Sequence, residues 1–369
     1  MTTSVHRLAA LGAATLFGLT ALTACGANDA ANNDGGSGAS GSGGKTIALL
    51  LPESKTTRYE TFDKPLFEAH VKELCSDCTV AYYNADQDET KQSQQVDTAI
   101  NDGASVIVLD PVNGAGAGGM VASAQSEDIP VIAYDRFIEG ADYYMSFDNE
   151  TVGKLQAEAL VKAMGGSGSI FMLNGAPSDP NAAQFKAGAH SVLDSTSGVK
   201  ILDEYDNPDW SPENAQQHVT DLMSKYQPSD VDGVYAANDG QAGGVVAALT
   251  GNGFSADDLP PITGQDAELA AIQRILAGEQ AMTIYKPIPI EANTAAEVAV
   301  KLANGEDVSG TSDTGVDQTD YKGVPSYIFD PIVVTKDNVA DTVVKDKFYS
   351  TSEICTSDYA DACKAAGIS

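Results

Sequence analysis

The chain of 369 residues is poor in the side chains that most active sites need. It has one tryptophan, four histidines and five cysteines. The histidines (His6, His70, His190 and His218) lack the spacing of a metal site. "DQDE" at 86–89 lacks the glycine and the terminal glutamate of a calcium loop. Positive charge is scarce, 21 Lys plus Arg against 52 Asp plus Glu, for a net charge of -31. Such a surface repels phosphate backbones, which excludes nucleic acid as a partner. After the first two dozen residues no apolar run approaches the roughly 20 residues of a bilayer span. No metal and no cofactor is expected. A hydrophobic content of 43% is nevertheless ordinary, and the length suits two domains.

The N-terminus carries His6 and Arg7, an apolar run of small residues from Leu8 to Leu22, and then Leu22-Thr23-Ala24-Cys25. A short positive region, a short apolar region and small residues before a cysteine form an export signal of the bacterial lipobox kind. The expectation is a lipoprotein signal peptide over 1–24, lipidation of Cys25, and a flexible Gly/Ser/Asn tether over 25–44. This places the body outside the cytoplasm, lipid-anchored to the cell membrane. An ordinary secretory peptide is the alternative. Four cysteines then remain, Cys75, Cys78, Cys355 and Cys363. In an exported protein they suggest two disulfides with three pairings, of which the local ones, Cys75–Cys78 and Cys355–Cys363, are favoured. Cys-x-x-Cys is also a redox motif or half a zinc site, but no second such motif or His pair accompanies it.

From Lys45 onward short β-rich runs ("KTIALLL", "TVAYYNA", "SVIVLD", "PVIAYD") alternate with stretches of helical period. One such stretch is 89–101, where Val96 and Ile100 are four apart and Glu89 opens the first turn. The pattern resumes with "GSIFMLNG", "KILDEYDN", "DGVYAAND", "PPITGQD" and "MTIYKP". Alternation predicts an α/β fold of parallel sheets covered by helices, and the number of units predicts two doubly wound lobes. Asn113, Ser211 before Pro212, Asp239 and Asp266 read as helix starts.

Open α/β sheets bind ligands beyond the carboxyl ends of their strands. At those ends the sequence puts Lys55, Arg58 and Tyr59, then Asp135 and Arg136, Asp148 and Asn149, Asn181, Trp210, Asn238 and Asp239, Gln265 and Asp266, and Lys286. The set is rich in planar groups that make paired hydrogen bonds. Neighbouring hydroxyls of a monosaccharide are spaced for such groups, and the C–H face of a sugar packs on an aromatic ring. Salt bridges at a rim would account for Asp135 and Arg136 individually, and capping for Asp239. The convergence of the whole set favours a polyhydroxylated ligand.

The motifs "AYDR", "SFDN", "NAAQFKAG", "WSPENA", "ANDGQAGG", "TGQDAELAAIQRI" and "MTIYKPI", in this order, resemble the periplasmic binding proteins for xylose and related aldoses, the ribose-binding-like branch that feeds ABC importers. The resemblance covers about Lys45 to Tyr349. It implies a type I fold of two Rossmann-like lobes joined by a three-strand hinge. The lobes would be 45–148 plus 267–328 and 149–266 plus 329–369, with hinges near Asp148–Asn149, Gln265–Asp266 and Phe329–Asp330. It further implies sugar hydrogen bonds from Arg58, Asp135, Arg136, Asn181, Asn238, Asp266 and Lys286, with Lys55 and Asn149 beside them, and stacking by Trp210. Implied partners are a monosaccharide, D-xylose first, and ABC permease subunits; a monomer is expected. After the matched arginine the family's receptors carry tryptophan where this chain has Tyr59. A broader aldose receptor for glucose, arabinose and galactose, serving chemosensing or signalling, is the second reading.

An enzyme is not expected. Gly114, Gly116 and Gly119 fit G-x-G-x-x-G, with Asp135 about twenty residues on, as a dinucleotide site requires. Pro111, Val112 and Asn113 nevertheless separate the strand from the first glycine, so the tight turn is missing. Glycoside hydrolysis would need one of Asp135 and Asp266 to keep its proton beside cations that favour ionisation.

Overall fold

The structure, a computed structural model, describes residues 45–368. The expected signal peptide, Cys25 and tether lie outside the described residues. Among the described residues no helix is long and apolar enough to cross a membrane.

In the N-terminal part, strands β1 (Thr46–Leu51), β2 (Thr79–Asn84), β3 (Val106–Leu109), β4 (Val131–Tyr134) and β5 (Tyr143–Phe147) alternate with helices α1 (Lys64–Leu74), α2 (Glu89–Asn101) and α3 (Gly118–Gln125). The middle part continues with α4 (Asn149–Ala163), β6 (Gly168–Asn174), α5 (Pro180–Leu193), β7 (Val199–Asp206), α6 (Pro212–Leu222), β8 (Gly233–Ala236), α7 (Asp239–Gly251), α8 (Leu269–Ala277) and β9 (Thr283–Tyr285). The C-terminal part adds α9 (Ile288–Asn304), β10 (Thr319–Tyr321), β11 (Val324–Phe329), β12 (Ile332–Val334), α10 (Thr351–Ile354) and α11 (Ala360–Ala365).

The first lobe is a seven-stranded sheet in the order β10-β11-β5-β4-β3-β1-β2, parallel except for the β10–β11 hairpin. Its strands read as continuous apolar runs because both faces are covered. Along β1, Ile47, Leu49 and Leu51 join the core under α1 and α9, while Ala48 and Leu50 join the one under α2 and α3. Helix α2 spans the residues that the periodicity predicts; Asp88 caps it by accepting from Lys91 N at 3.0 Å.

In the second lobe β6 lies between β7 and β8. Segment 261–266 then runs beside β8, with Val234 N bonded to Pro261 O, and beside β9, with Ile284 N bonded to Gly264 O. Strand β12 pairs antiparallel with β9. Here the structure corrects an expectation. A boundary between 266 and 267 assigns β9 to the first lobe, whereas its backbone bonds put it in the second. The middle crossing therefore falls after Tyr285, at Lys286–Pro287, where Ile288 N bonds Lys286 O at 2.7 Å in a tight turn around Pro287. The ends of β5 and β11 run side by side, Asp148 N donating to Phe329 O at 3.0 Å.

Both favoured disulfides, Cys75–Cys78 and Cys355–Cys363, are formed. The cluster of Cys75, Asp77 and Cys78 thus has no free thiolate for a metal.

Candidate functional site

Between the lobes, where the strand ends of both sheets converge, is a cleft with about 280 Å³ of empty space, the open solvent at its mouth included. It is lined by Thr56, Arg58, Tyr59, Asp135, Arg136 and Lys286, and from the second lobe by Asp179, Asn181, Phe185, Trp210, Asn238, Gln265 and Asp266. Eight of the ten side chains expected in the site are therefore brought together. Lys55 and Asn149 are not among the lining residues. Lys55 reaches across to Asp209 of the second lobe, half-exposed. Asn149 opens α4 and donates to Ser146 Oγ at 3.1 Å, held by the first turn of the helix after the hinge.

The first lobe supplies a fixed guanidinium. Arg58 donates from Nε to Asp63 Oδ2 at 2.9 Å and from Nη2 to Asp63 Oδ1 at 2.6 Å. Its Nη2 also reaches Glu291 Oε2 at 2.7 Å, and Nη1 reaches Asp135 Oδ1 at 3.0 Å. Of its five N–H groups these bonds leave one, on Nη1, without a protein acceptor. Tyr134 closes the arrangement from behind by donating to Asp63.

Asp135 follows β4 with φ of 56°, in the left-handed region, while Arg136 N bonds back to Tyr134 O at 2.6 Å. A non-glycine residue in such a turn costs energy that its surroundings must offset. Here three cations do so. Burial raises the Asp135 carboxyl, but Arg58, Lys286 and Arg136 outweigh it and hold the group below the usual carboxylate value. Arg136 itself has Nε 2.9 Å from Asp179 and 3.4 Å from Asp110, with Nη1 donating to Pro111 O at 3.0 Å.

Asp179 was not singled out in the sequence, although Asp before Pro180 is a helix-start signal. Its carboxylate caps α5 at Asn181 N, accepts Trp210 Nε1 at 3.1 Å and faces Arg136 of the other lobe. Trp210, at φ 62°, packs against Gly175, where a Cβ would lie 2.0 Å from the indole. Phe185 meets it edge-on. Asn181 Nδ2 crosses the cleft to Asp135 O at 3.0 Å, leaving its Oδ1 without a partner; Gln265 Oε1 is likewise unpartnered. Asn238 caps α7, its Oδ1 accepting from Gln241 N at 3.0 Å, and lines the cleft. Asp239, expected to cap that helix, is instead its first residue. It is buried and accepts from Glu268 N, Gln280 and Thr283.

Asp266 and Lys286 come from the ends of the two adjacent strand segments near the hinge, Oδ1 and Nζ being 2.9 Å apart. Asp266 has φ of 92°. Lys286 also stands over the rings of Phe147 and Phe185. The glycine motif has a packing explanation. A Cβ on Gly114 would lie 2.8 Å from Pro180, and Gly114 N donates across the lobes to Ser178 O at 3.2 Å. Its backbone is used for lobe contact, with no cradle for a phosphate.

Comparison with known proteins agrees with this geometry. Residues 47–307 match the model of the periplasmic binding protein domain. The D-xylose-binding periplasmic protein of Escherichia coli is 39% identical, over 84% of this chain and 92% of that protein. The multiple sugar-binding periplasmic receptor ChvE of Rhizobium radiobacter is 34% identical over 73% of this chain and 81% of its own length. An ABC transporter solute binding protein from Clostridium phytofermentans, solved with β-D-glucose, superposes with a TM-score of 0.75 at 26% identity, covering 84% of this chain and 100% of that one. The chain belongs to the periplasmic binding protein family and has its type I fold.

Proposed function

We propose that this chain is the extracytoplasmic substrate-binding component of an ABC sugar importer, taking one monosaccharide, D-xylose first, between its lobes. The observation that carries the reading is the closed cleft itself. Nine buried carboxylate, amide, guanidinium and ammonium side chains, of the kinds that engage vicinal hydroxyls, line it together with the indole of Trp210. The identity to a D-xylose-binding relative supports the choice of sugar. Ligand bridging the strand ends of both lobes favours the closed form, which permease subunits would then recognise. No bond is made or broken in this cycle. Lipidation at Cys25 would keep the protein beside its permease as an anchored monomer.

A broader aldose receptor is the second reading, favoured by the multiple sugar-binding relative; Tyr59, which departs from the tryptophan of both kinds of receptor, leaves the choice of sugar to measurement. Titration of the full chain with xylose, glucose, arabinose, galactose and ribose, followed by Trp210 emission, separates the two. A saturable response to xylose alone supports the first reading, and comparable responses to several aldoses support the second. Absence of any response, checked by calorimetry, removes both.

A further inference from the structure

Resting on the sugar-binding reading, we propose that this site admits only uncharged sugars and turns away those bearing a carboxylate, because every cation facing the cleft is already matched by buried carboxylates. The lining contains three cations among the described residues, Arg58, Arg136 and Lys286. Arg58 touches Asp63, Asp135 and Glu291; Arg136 faces Asp179 and Asp110; Lys286 faces Asp266. Three positive groups thus meet six carboxyls, and none of the nine side chains is more than 5% exposed.

Protonation does not create a surplus of positive charge. Burial pushes Asp110, Asp179 and Glu291 above the usual carboxylate value, against the pull of the neighbouring arginines. With all three neutral, three carboxylates still balance three cations. A ligand carboxylate would therefore enter as an unmatched buried charge.

The unpartnered atoms point the same way. Asn181 Oδ1 and Gln265 Oε1 are acceptors without a donor. Sugar hydroxyls donate to such atoms, whereas a carboxylate only accepts. The one free N–H of Arg58 serves a hydroxyl or a carboxylate alike, so the selectivity rests first on net charge, and the two unpartnered acceptors add to it. Asp63, which holds Arg58 through two bonds, is the residue on which the neutralisation of Arg58 most depends.

The test compares D-glucuronate with D-glucuronamide, the same ring with the charge removed, by calorimetric titration of the full chain alongside D-xylose. The amide is expected to bind at least about a hundredfold more tightly than the acid. Binding of the acid within tenfold of the amide overturns the proposal. So does rejection of both while D-xylose binds, since size and not charge would then close the site. Failure of D-xylose and every other neutral aldose removes the sugar reading beneath it. Asp63→Asn should raise the acid-to-amide affinity ratio about tenfold. An unchanged ratio in a folded variant, checked by thermal melting, overturns the assignment to Asp63; the wild-type comparison stands independently of that variant's folding.

Discussion

Trp210 and Arg136, from different lobes, share one carboxylate. Asp179 Oδ2 accepts the indole Nε1–H at 3.1 Å and lies 2.9 Å from Arg136 Nε. The same side chain caps α5 at Asn181, so it ties the aromatic wall, the helix terminus and the opposite lobe to a single point. Its relation to Arg136 crosses the lobes and exists only when the cleft is closed.

Asp179→Asn removes the charge facing Arg136, and its single amide oxygen can replace the cap at Asn181 or the acceptor for the indole, not both. Stripping one partner from a buried ion pair costs about 3 kcal/mol or more. Because Arg136 regains water when the cleft opens, that cost falls on closure. The expected outcome is a loss of at least about a hundredfold in affinity for every sugar that binds. Calorimetry measures it. An effect confined to one sugar would point to direct contact instead.

Gly175 is the floor under the indole. A methyl group there would lie 2.0 Å from Trp210 Cη2, so the ring must tilt or rise. Overpacking of this kind costs about 1–3 kcal/mol. Gly175→Ala should lower the melting temperature, shift the single tryptophan's emission and weaken sugar binding together. Unchanged emission would mean that the ring has another way to lie.

Much of this arrangement is legible in the sequence, and the illegible part has a physical pattern. Strands covered on both faces leave apolar runs such as "TIALLL", and the groups that follow such runs face the cleft, which is why eight site residues can be read from strand ends. The back wall is harder to read. Asp63 and Glu291 sit beside helical stretches, where a carboxylate reads as a solvated or dipole-facing group; only the fold brings both to Arg58. The position of β9 is also hidden. Its three residues pair with an irregular segment at 261–266, and such long-range pairing leaves no local signal. Lys55 follows a strand end as the others do, yet its loop carries it to Asp209.

Glu268 gives the protein a pH dependence of known sign. Its Oε1 accepts Thr57 N from the first lobe at 3.4 Å. Burial, followed by the charge of Asp266, pushes its carboxyl from 4.5 up to about 7. A carboxyl raised in the folded state is fully tolerated below its unfolded value and costs stability as pH rises through its folded one. The melting temperature should therefore fall between about pH 4.5 and 7 through this group. Glu268→Gln should flatten that part of the profile and melt higher than wild type at pH 8. A Gln variant that melts lower at pH 8 would sink the assignment.

The two lysines at the cleft make opposite predictions. Lys55 and Asp209 are 39% and 29% exposed, and exposed ion pairs contribute about 0.2–1 kcal/mol. Lys55→Met should weaken all sugars by no more than about fivefold, and added salt should erase the difference. Lys286 is 4% exposed, sits on the middle crossing and faces Asp266 at 2.9 Å. Removing its charge leaves Asp266 buried and unmatched, a loss of about 2–5 kcal/mol on a group that lines the cleft. Lys286→Met should therefore weaken binding by more than about thirtyfold, with little change on adding salt, since a buried pair is poorly screened. Affinities of the two variants at low and high ionic strength decide the matter. If Lys55→Met proves the more damaging and salt-insensitive, Lys55 touches the ligand, and the cleft must close in a geometry other than this one.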